Sequence, residues 1–480
     1  MAWFALVPLL KAVEGVPTRK ALLYGGIAGF VHYVTLVYWI VPVLSHYGKM
    51  NPVASIAPFL LLTAYLSVYP ALFCLFVSRL RPGSPFYSLA VASVWVLLEY
   101  TRTHLLTGFP WCLMGHSQYR HPTLIQAANL AGVFGISFLL TLANGALFAF
   151  LRFRKRALPQ ALQAAFALAL ALAYGYHSLH QIRLRSQEAG GIRVAVVQAN
   201  IDQSVKWNPA YRRKTLDTYL GLSQKALSYK PRVLVWPETA VPFFFQEKSR
   251  LRARLCALPA RSGVDLIFGS PAYDRRRGGI RYLNRAYLIR GGESMPLPEA
   301  HYDKMHLVPF GEYVPLKKYL PFVDRLVQAA GDFAAGTKAV PLRMNGHAAG
   351  VLICFEAIFP EPARTHARKG ADLLVNLTND AWFGRTSAPY QHLAMTVFRA
   401  VETGRPLVRA ANTGFSALVD PSGKILARTG LFQEALLVGE VTPGSREPTI
   451  YTRLGDLLLL PVLLLAATGL YAARKRLSNE

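Results

Sequence analysis

The chain has few acidic residues and few cysteines, and each shortage excludes some classes of function. It has 26 Asp and Glu against 53 Lys and Arg in 480 residues, for a net charge of +27. Its four cysteines include no CxxC pair and no Cys and His spacing that indicates a metal site. A glycine-rich loop of the kind that holds phosphate is also missing. We therefore expect no metal and no organic cofactor.

Long apolar runs are abundant. Hydrophobic residues make up 52% of the chain and the mean hydropathy is +0.26, which is high for a soluble protein. A bilayer is crossed by about 20 apolar residues. The runs that approach this length are 21–42, 53–79, 86–101, 122–151, 158–178 and 454–472. We predict an α-helical multi-span membrane domain at 1–180, a globular domain at 190–445 and a C-terminal transmembrane helix at 454–472.

Basic clusters indicate the sidedness of these spans, because loops rich in Lys and Arg stay in the cytoplasm. The clusters that flank apolar runs are Arg19-Lys20, 78–82, 151–156 and 474–476. Placing them in the cytoplasm puts 179–453 outside and disfavours nucleic-acid binding as the meaning of the positive charge. Counting 2–13 as a span gives seven spans and an external N-terminus. Either an upstream span is missing from this sequence or the first span is unusual.

The segment 190–445 has the pattern of a layered α/β domain, in which strands alternate with helices. Strand-like apolar runs are 192–198, 233–236, 266–269, 348–354, 373–377, 407–409 and 417–420. Helix-like amphipathic stretches are 208–229, 247–260, 360–369 and 388–404. Several of the strands end directly in polar residues, which is where open α/β folds build their functional sites.

Three segments of this domain each carry one reactive side chain. Glu238 and Cys354 each follow a predicted strand, and Lys304 lies in a third segment. Taken singly, each has an ordinary explanation: a surface carboxylate, an unremarkable lysine and an inert packed cysteine. Together they form a set suited to covalent acyl transfer. A desolvated carboxylate can remove the thiol proton, a thiolate can carry an acyl group, and a fixed ammonium stabilises the oxyanion.

These three elements resemble the nitrilase superfamily, whose Glu–Lys–Cys triad lies on an αββα sandwich. With its flanking spans, the chain is similar over nearly its whole length to the apolipoprotein N-acyltransferase family of bacteria. The stretches that carry the resemblance are 108–111, 197–201, 203–204, 206–207, 236–238, 304–312, 354–356 and 379–384. Each motif alone is weak, but their ordered set is strong. The resemblance predicts a helical membrane bundle plus an αββα sandwich of the nitrilase type.

The resemblance also implies catalytic roles, residue by residue. Glu238 would be the general base, Lys304 the stabiliser of the oxyanion and Cys354 the nucleophile that becomes acylated. Glu312, in the loop after Lys304, would be a second carboxylate that orients this triad.

Further residues would support the reaction or contact the substrates. Phe355 and Glu356 would support the second half-reaction, although the family often has Tyr where Phe355 stands, so any role of a phenol hydroxyl is absent or supplied elsewhere. Trp207 would contact lipid in an acyl-binding cleft, or serve only as an interfacial anchor. Asn379 and Trp382 would shape the pocket wall, or serve only in packing. The family usually has eight spans, one more than are found here.

The implied reaction transfers an acyl chain in two steps at the outer leaflet of the bacterial inner membrane. A phospholipid, by resemblance phosphatidylethanolamine, would acylate Cys354. The free α-amine of a diacylglyceryl-cysteine apolipoprotein would then take the chain as an amide. The site would have to open toward the bilayer, with the catalytic domain on the periplasmic side. The segment Phe243-Phe244-Phe245 and the loop 305–346 are either a hydrophobic lid over this site or core packing.

Two other functions are compatible with parts of the sequence. A membrane-tethered hydrolase of the same superfamily would cleave a small amide or nitrile, which the number of spans and the apolar loops disfavour. A transporter or scaffold with a degenerate domain would have lost at least one triad residue, whereas all three are present. A disulfide between Cys256 and Cys354 would favour such an inactive scaffold.

Overall fold

The computed structural model describes residues 1–48, 50–188, 190–276, 279–295, 297, 300–314, 333–445 and 447–477. The chain divides into two compact units. The first, called the helical unit, comprises Met1–Val41, Asn51–His180 and Thr449–Glu480. The second, called the α/β unit, comprises Pro42–Met50 and Gln181–Pro448.

The helices and strands are numbered along the chain. Helices α1 to α8 are Val7–Val13, Thr18–Leu36, Ile40–Pro42, Pro52–Val77, Tyr87–His104, Pro122–Ile125, Ala128–Phe153 and Leu158–Glu188. Helices α9 to α15 are Gln203–Lys206, Arg212–Leu227, Arg250–Ser262, Pro360–Arg368, Ala388–Thr403, Ile450–Leu454 and Leu460–Leu477. Strands β1 to β6 are Ile192–Gln198, Val233–Val235, Asp265–Arg276, Gly279–Ile289, His301–Asp303 and Leu342–Arg343. Strands β7 to β12 are Ala348–Ile353, Leu373–Thr378, Leu407–Ala411, Ala417–Val419, Ile425–Arg428 and Ala435–Val441.

Several helices of the chain have the length and apolarity of membrane spans. Within the described ranges, those that qualify singly are Pro52–Val77, Ala128–Glu188 (which contains α7 and α8) and Ile450–Gly469. The bent pair Thr18–Leu36 and Ile40–His46, with 56° between its two parts, qualifies when taken together. The predicted span 86–101 is helical, as α5, but Glu99 and Arg102 make its sequence less apolar. Both of these charged side chains are buried.

Close packing and internal hydrogen bonds hold the helical unit together. A Cβ on Gly25 of α2 would lie 2.8 Å from the Cβ of Cys74 on α4, so the absence of a side chain lets these helices touch. Asn144 of α7 is fully buried, and its Oδ1 accepts a hydrogen bond of 2.8 Å from the N–H of Leu6. In apolar surroundings an unpaired polar side chain would be costly, so Asn144 faces protein.

In the described part of the chain, the α/β unit contains two six-stranded sheets. One has the strand order β12-β1-β2-β3-β4-β5, and the other has the order β11-β10-β9-β8-β7-β6. Parallel pairs lie at the centre of each sheet, between β1, β2 and β3 and between β7, β8 and β9. The outer pairs are antiparallel. This mixed arrangement brings the carboxyl ends of the central strands together, and those ends carry the predicted polar residues.

The two sheets face each other across a shared apolar core. Val194 and Val196 of β1 pack in one cluster with Val351 and Ile353 of β7, and all four are buried. The alternate residues of the first sheet, including Ala195, pack in a second cluster with side chains of α10 and α11. Because both faces of the central strands are buried, these strands appear in the sequence as continuous apolar runs.

Helices cover the outer faces of both sheets. Helices α10 and α11 pack on the first sheet, and α12 and α13 pack on the second. The α/β unit is therefore an αββα sandwich, which confirms the fold class predicted from the sequence. The strand predicted at Ile192–Gln198 is observed with the same bounds.

Candidate active site

Glu238 is held in a tight turn after β2. The indole of Trp236 is fully buried, donates a hydrogen bond of 2.9 Å to the Ser223 hydroxyl and stacks on Tyr219. Thr239, after the glutamate, has φ +46°, a strained conformation for a β-branched residue. A Cβ on Gly269 of β3 would lie 2.8 Å from the Cα of Glu238, so only glycine lets this turn approach so closely. Strain of this kind is typical of functional sites.

Lys304 lies directly after β5 between two carboxylates. Its Nζ is 2.9 Å from Oε1 of Glu312 and 3.7 Å from Oε1 of Glu238. The amide of Asn284 links the same two groups, since Nδ2 donates to Oε1 of Glu238 at 2.8 Å and to Oε1 of Glu312 at 3.1 Å. The N–H of Val308 donates to Oε2 of Glu312 at 2.8 Å. These contacts fix both carboxylates around one ammonium group.

The electrostatics of this group suit a base beside a permanent cation. Burial raises the pKa of Glu238, Lys304 lowers it and Glu312 raises it, with a net increase. Burial alone would lower the pKa of Lys304, but Glu312 and Glu238 raise it above its ordinary value. Lys304 therefore stays charged, while the Glu238 carboxylate accepts a proton more readily than an exposed glutamate does.

Cys354 stands at the sharp turn after β7 and is half-buried. Its φ of +51° lies in the left-handed region, where a non-glycine residue is strained. Burial, reinforced by the negative charge of Glu238, raises the pKa of the Cys354 thiol to about 12. Lys304 and the side chain of Thr378 act in the opposite direction. The resting thiol is thus protonated, and a base has to remove its proton before it can attack.

A buried network behind the nucleophile holds this turn. Nε2 of His392 lies 3.3 Å from the carbonyl oxygen of Cys354, and Nδ1 lies 3.1 Å from a guanidinium nitrogen of Arg409. Burial and the nearby Arg409 lower the pKa of His392, so the ring is neutral. With Nε2–H donating to the carbonyl of Cys354, Nδ1 faces both Arg409 and Oδ1 of Asp380, the latter at 3.1 Å. Asp380 neutralises Arg409 at 2.7 Å.

Glu356 connects the turn of the nucleophile to the segment of the lysine. Its Oε2 accepts a hydrogen bond of 2.7 Å from the N–H of Ile353. Its Oε1 accepts from the hydroxyl of Tyr302 at 2.8 Å and from the N–H groups of Met305 and His306 at 2.8 and 3.1 Å. The side chain is fully buried. Because both oxygens of this side chain must accept hydrogen bonds, a carboxylate suits the position and an amide does not.

We expect Glu356→Gln to lower both activity and stability. One oxygen becomes an NH2 group, which faces N–H donors that it cannot satisfy, at a cost of about 1–3 kcal/mol in the free energy of unfolding. Because the turn of Cys354 loses its link to the lysine segment, the acylation rate should fall at least 10-fold, on the order of the effect of misplaced groups. Thermal unfolding and single-turnover acylation measure the two effects. Glu361→Gln, at an exposed glutamate of α12, should leave both unchanged.

The structure brings the predicted catalytic and supporting residues into one region. Lys304 contacts both Glu238 and Glu312, and Cys354 interacts electrostatically with Glu238 and Lys304. Phe355 is buried, with its ring centroid 5.3 Å from that of Phe359.

The predicted substrate-binding residues differ among themselves. Trp207 and Trp382 are 45% and 36% exposed, so both residues reach the surface of the described structure. Asn379 is buried instead, and its Nδ2 donates to Oε1 of Gln203 at 2.8 Å. Its Oδ1 accepts from Asn412 at 3.3 Å. Asn379 therefore ties the segment after β8 to the loop that carries α9.

The structure describes only part of the segments predicted to form either a lid or core packing. Phe243 and Phe245 are buried in the core cluster that faces α10 and α11, which favours packing for these two residues. Phe244 is partly exposed and stacks on Tyr282. Of the loop 305–346, the part 315–332 lies outside the described residues.

The disulfide between Cys256 and Cys354 considered from the sequence is not formed. Cys256 and Cys354 are both free, and Cys256 packs in the cluster facing α10 and α11. Among the described residues, no group of three His, Cys, Asp or Glu side chains is placed to hold a metal ion.

Two residues of the site had no role in the sequence prediction. Lys206 is buried, and its Nζ lies 3.3 Å from the carbonyl oxygen of Glu238. Asn284 of β4 joins the two carboxylates. Lys206 lies in a motif that carried the family resemblance, which was a usable signal. Asn284 lies within a strand that the apolar pattern did not reveal.

Comparison with known proteins gives matches to both parts of the chain. Residues 193–451 match the carbon-nitrogen hydrolase family, and residues 1–146 match the apolipoprotein N-acyltransferase N-terminal domain. An apolipoprotein N-acyltransferase of Geobacter metallireducens is 43% identical over 95% of this chain and 87% of that protein. One of Bradyrhizobium diazoefficiens is 38% identical over 87% of this chain and 79% of that protein.

Among solved structures, a carbon-nitrogen hydrolase from Helicobacter pylori is 19% identical and has a TM-score of 0.40. The similarity covers 58% of this chain and 92% of that one. The membership of the chain follows instead from the matches in sequence, which extend over the helical region and the sandwich alike. By these matches, the chain belongs to the apolipoprotein N-acyltransferase family.

Proposed function

We propose that this chain is an N-acyltransferase that moves an acyl chain from a membrane phospholipid to an apolipoprotein. The acceptor is the α-amine of an N-terminal diacylglyceryl-cysteine, and the chain is carried between the two substrates as a thioester on Cys354. The observation that carries this proposal is the convergence of a buried carboxylate, a permanent ammonium and a half-buried thiol, Glu238, Lys304 and Cys354. Membership of the family supplies the class of substrate.

The first half-reaction forms the thioester and releases an alcohol. Glu238 accepts the proton of the Cys354 thiol as sulfur forms a bond to the ester carbonyl carbon of the phospholipid. Lys304 stabilises the negative charge that develops on the carbonyl oxygen, and its ammonium is already in place before the reaction. When the intermediate collapses, the bond from carbon to the glycerol oxygen breaks. Glu238 returns its proton to that oxygen, and a lysophospholipid leaves.

The second half-reaction forms an amide and restores the enzyme. The neutral α-amine of the apolipoprotein attacks the thioester carbonyl, and Lys304 again faces the oxyanion. Glu238 takes a proton from the nitrogen as the carbon–nitrogen bond forms. The carbon–sulfur bond then breaks, and the same proton protonates the sulfur of Cys354. One carboxylate thus serves as base and acid in both halves, which suits its raised pKa.

The resting state protects the thiol until a substrate arrives. Because the pKa of Cys354 is raised to about 12, little thiolate exists at neutral pH. The nucleophile forms only as Glu238 takes its proton, in concert with attack on a bound ester. We further propose that Glu312 orients Lys304 and that Glu356 fixes the turn of the nucleophile, since each makes the contacts described above. Phe355 would pack beside them and has no hydroxyl to contribute.

Exposed aromatic residues are proposed to receive the lipid. Trp207 and Trp382 are both partly exposed and lie in the segments that follow β1 and β8. Indole rings favour the level of lipid headgroups and pack well on acyl chains. Phosphatidylethanolamine is the proposed donor, by the family resemblance. Asn379 would act only through the loop that it holds.

Sidedness is proposed from the basic clusters of the sequence. Residues 190–445 would form an extracytoplasmic catalytic domain between the membrane domain 1–180 and the helix 454–472, with the protein in the bacterial inner membrane and the domain facing the periplasm. A protease added to intact spheroplasts should then digest the catalytic domain. Protection of that domain until the cells are lysed would place it in the cytoplasm instead.

The acyl-enzyme provides the direct test. The purified protein is incubated with phospholipids that carry isotope-labelled acyl chains on ethanolamine, glycerol or choline headgroups, and its peptides are analysed by mass spectrometry. We expect one labelled chain on the peptide that contains Cys354, most rapidly from the ethanolamine lipid. Addition of a diacylglyceryl-cysteine peptide should move the label to its α-amine. Release of ammonia from small amides, with no acylated cysteine, would instead identify a hydrolase.

A further inference from the structure

A second buried lysine, Lys206, lies next to the base. Lys206, the last residue of α9, is only 1% exposed. Its Nζ donates one hydrogen bond, of 3.3 Å, to the backbone carbonyl of Glu238. Among the described residues it forms no ion pair. A buried ammonium group without a counter-ion is costly, so it indicates a function.

The position of Lys206 is fixed by the elements around it. The side chain of Asp202 accepts from the N–H of Ser204 and so starts the short helix α9. Oε1 of Gln203 accepts from Asn379 at 2.8 Å. The residue before this turn, Ile201, exchanges two hydrogen bonds with the side chain of Asn412. The amine is therefore held beside the turn of Glu238 by contacts from the residues that directly follow β8 and β9.

The charges around the nucleophile need a second cation. Lys304 is shared by Glu238 and Glu312, so these three groups together carry one net negative charge. Attack by Cys354 adds a further negative charge, first toward the sulfur and then on the carbonyl oxygen. Lys206 interacts electrostatically with both Glu238 and Cys354. Its ammonium brings the resting group to neutrality and so offsets the charge that develops in the reaction.

Other charged groups nearby are already compensated. The carboxylate of Glu356 accepts hydrogen bonds from one hydroxyl and three backbone N–H groups. Asp380, behind the nucleophile, is paired with Arg409 at 2.7 Å. Arg409 is thus engaged with Asp380 and does not balance the carboxylate pair around Lys304. Lys206 is thus the uncompensated cation among the described groups that interact with Cys354.

We infer that Lys206 is a positioning residue of the acyl-transfer site. Its ammonium charge compensates the carboxylate pair, so that the Cys354 thiolate and the oxyanion can form, and its hydrogen bond holds the backbone of Glu238. The inference rests on the roles given above to Glu238, Lys304 and Cys354. It assigns the electrostatic support of the reaction to two lysines, one that faces the oxyanion and one that acts through the base and the nucleophile.

A pH dependence distinguishes this role from simple packing. Burial lowers the pKa of Lys206 to about 8, although Glu238, after β2, and Cys354, after β7, act to raise it. The ammonium is therefore present below that pH and is lost as the pH rises through it. Lys304, whose pKa is raised, keeps its charge over the same range. Acylation should accordingly decline on the alkaline side near pH 8, through the loss of charge on Lys206.

The test compares Lys206→Met, which keeps the length of the side chain without its charge, with Lys206→Arg, which keeps the charge at all accessible pH values. Single-turnover acylation of Cys354 by labelled phospholipid is followed from about pH 6 to pH 10. In Lys206→Met the rate of acylation should be lower by about 100-fold, as when a preorganised electrostatic group is lost. The rate of this variant should show no decline at alkaline pH. In Lys206→Arg the decline should move to higher pH. Lys214→Met, at an exposed lysine of α10, is the matched control.

Each outcome decides between the two claims. If the wild type forms no acyl group on Cys354, the proposed function fails, whatever Lys206 does. If the wild type is acylated and Lys206→Met matches its rate at every pH, the inference about Lys206 is overturned and the proposed function stands. If Lys206→Met lacks cooperative thermal unfolding, Lys206→Arg decides: a decline that stays near pH 8 overturns the inference, and one that shifts upward supports it.

Discussion

Cys354→Ala should abolish acyl transfer. The rate should fall at least about 10⁴-fold, which is the order of magnitude lost when an enzyme is deprived of its nucleophile. Alanine offers no atom that can form a bond to the acyl carbon. The base and the cation remain in place, since Glu238 and Lys304 contact each other without the sulfur. The variant should fold, because alanine keeps the Cβ and removes a single half-buried atom.

The measurement is the mass of the peptide that contains position 354 after incubation with labelled phospholipid. The wild type should gain one acyl chain there and the variant none, and only the wild type should label the amine of a diacylglyceryl-cysteine peptide. Cys256→Ala is the matched control, because it removes the other free cysteine of the α/β unit from a buried position. Acyl transfer by Cys354→Ala at an appreciable rate would eliminate the thioester mechanism. An acyl chain found on Cys256 in the wild type would identify Cys256 as the nucleophile instead of Cys354.

The sequence predicted the architecture well because the central strands are apolar on both faces. Strand β1 was predicted with its observed bounds, and the αββα sandwich is confirmed. Predicted and observed helices differ mainly at their ends, where capping residues determine the first helical residue. The stretch 208–229 contains α10, Arg212–Leu227, which starts late because Asn208 caps a short 3-10 turn that begins at Pro209. Such a local detail is not encoded in the hydrophobic pattern.

Strand β4 shows why an apolar pattern misses some elements. Gly279–Ile289 contains Arg285, which a search for apolar strands counts against it. In the folded protein this arginine pairs with Asp303 on the neighbouring strand at 2.6 Å. Asn284, beside it, faces the two carboxylates of the site. The polar residues of β4 are accounted for by partners that are distant in sequence, so only the fold reveals the strand.

The candidate site was likewise predicted only in part from the sequence. Glu238, Lys304 and Cys354 were found as an ordered set of motifs, and the structure brings them together, while their roles remain predictions. Lys206 and Asn284 were not assigned roles, because their importance lies in which groups they touch rather than in their own chemistry. Motifs indicate which residue types are present, and the charge balance among them appears only in three dimensions.

Glu238→Gln should nearly stop acylation at neutral pH while leaving the site in place. The amide oxygen can still accept the hydrogen bond from Asn284 that Oε1 of Glu238 now accepts at 2.8 Å. An amide cannot take the thiol proton, however, and loss of a positioned general base costs about 10²–10⁴-fold in rate. Binding of phospholipid should be unchanged, since Glu238 is proposed to act in proton transfer.

The pH dependence of this variant should differ from that of the wild type in a predictable direction. In the wild type, acylation falls as the pH drops through the raised pKa of Glu238, because the protonated carboxyl group cannot act as a base. In Glu238→Gln that acid decline disappears. The negative charge that helps to raise the pKa of Cys354 is also gone, so thiolate should form at lower pH than in the wild type. The residual rate should therefore rise with pH, because hydroxide replaces the missing base, up to the pH at which Lys206 loses its charge.

Single-turnover acylation at several pH values, with the amount of lipid bound measured in parallel, separates these effects. Glu247→Gln, at an exposed glutamate nine residues away, should behave as the wild type. A Glu238→Gln enzyme that is acylated at the full rate would remove Glu238 as the base. A variant that loses lipid binding together with acylation would show that the carboxylate holds the substrate. A low rate that rises with pH, with lipid binding intact, is the result expected if the carboxylate acts by accepting the proton of Cys354.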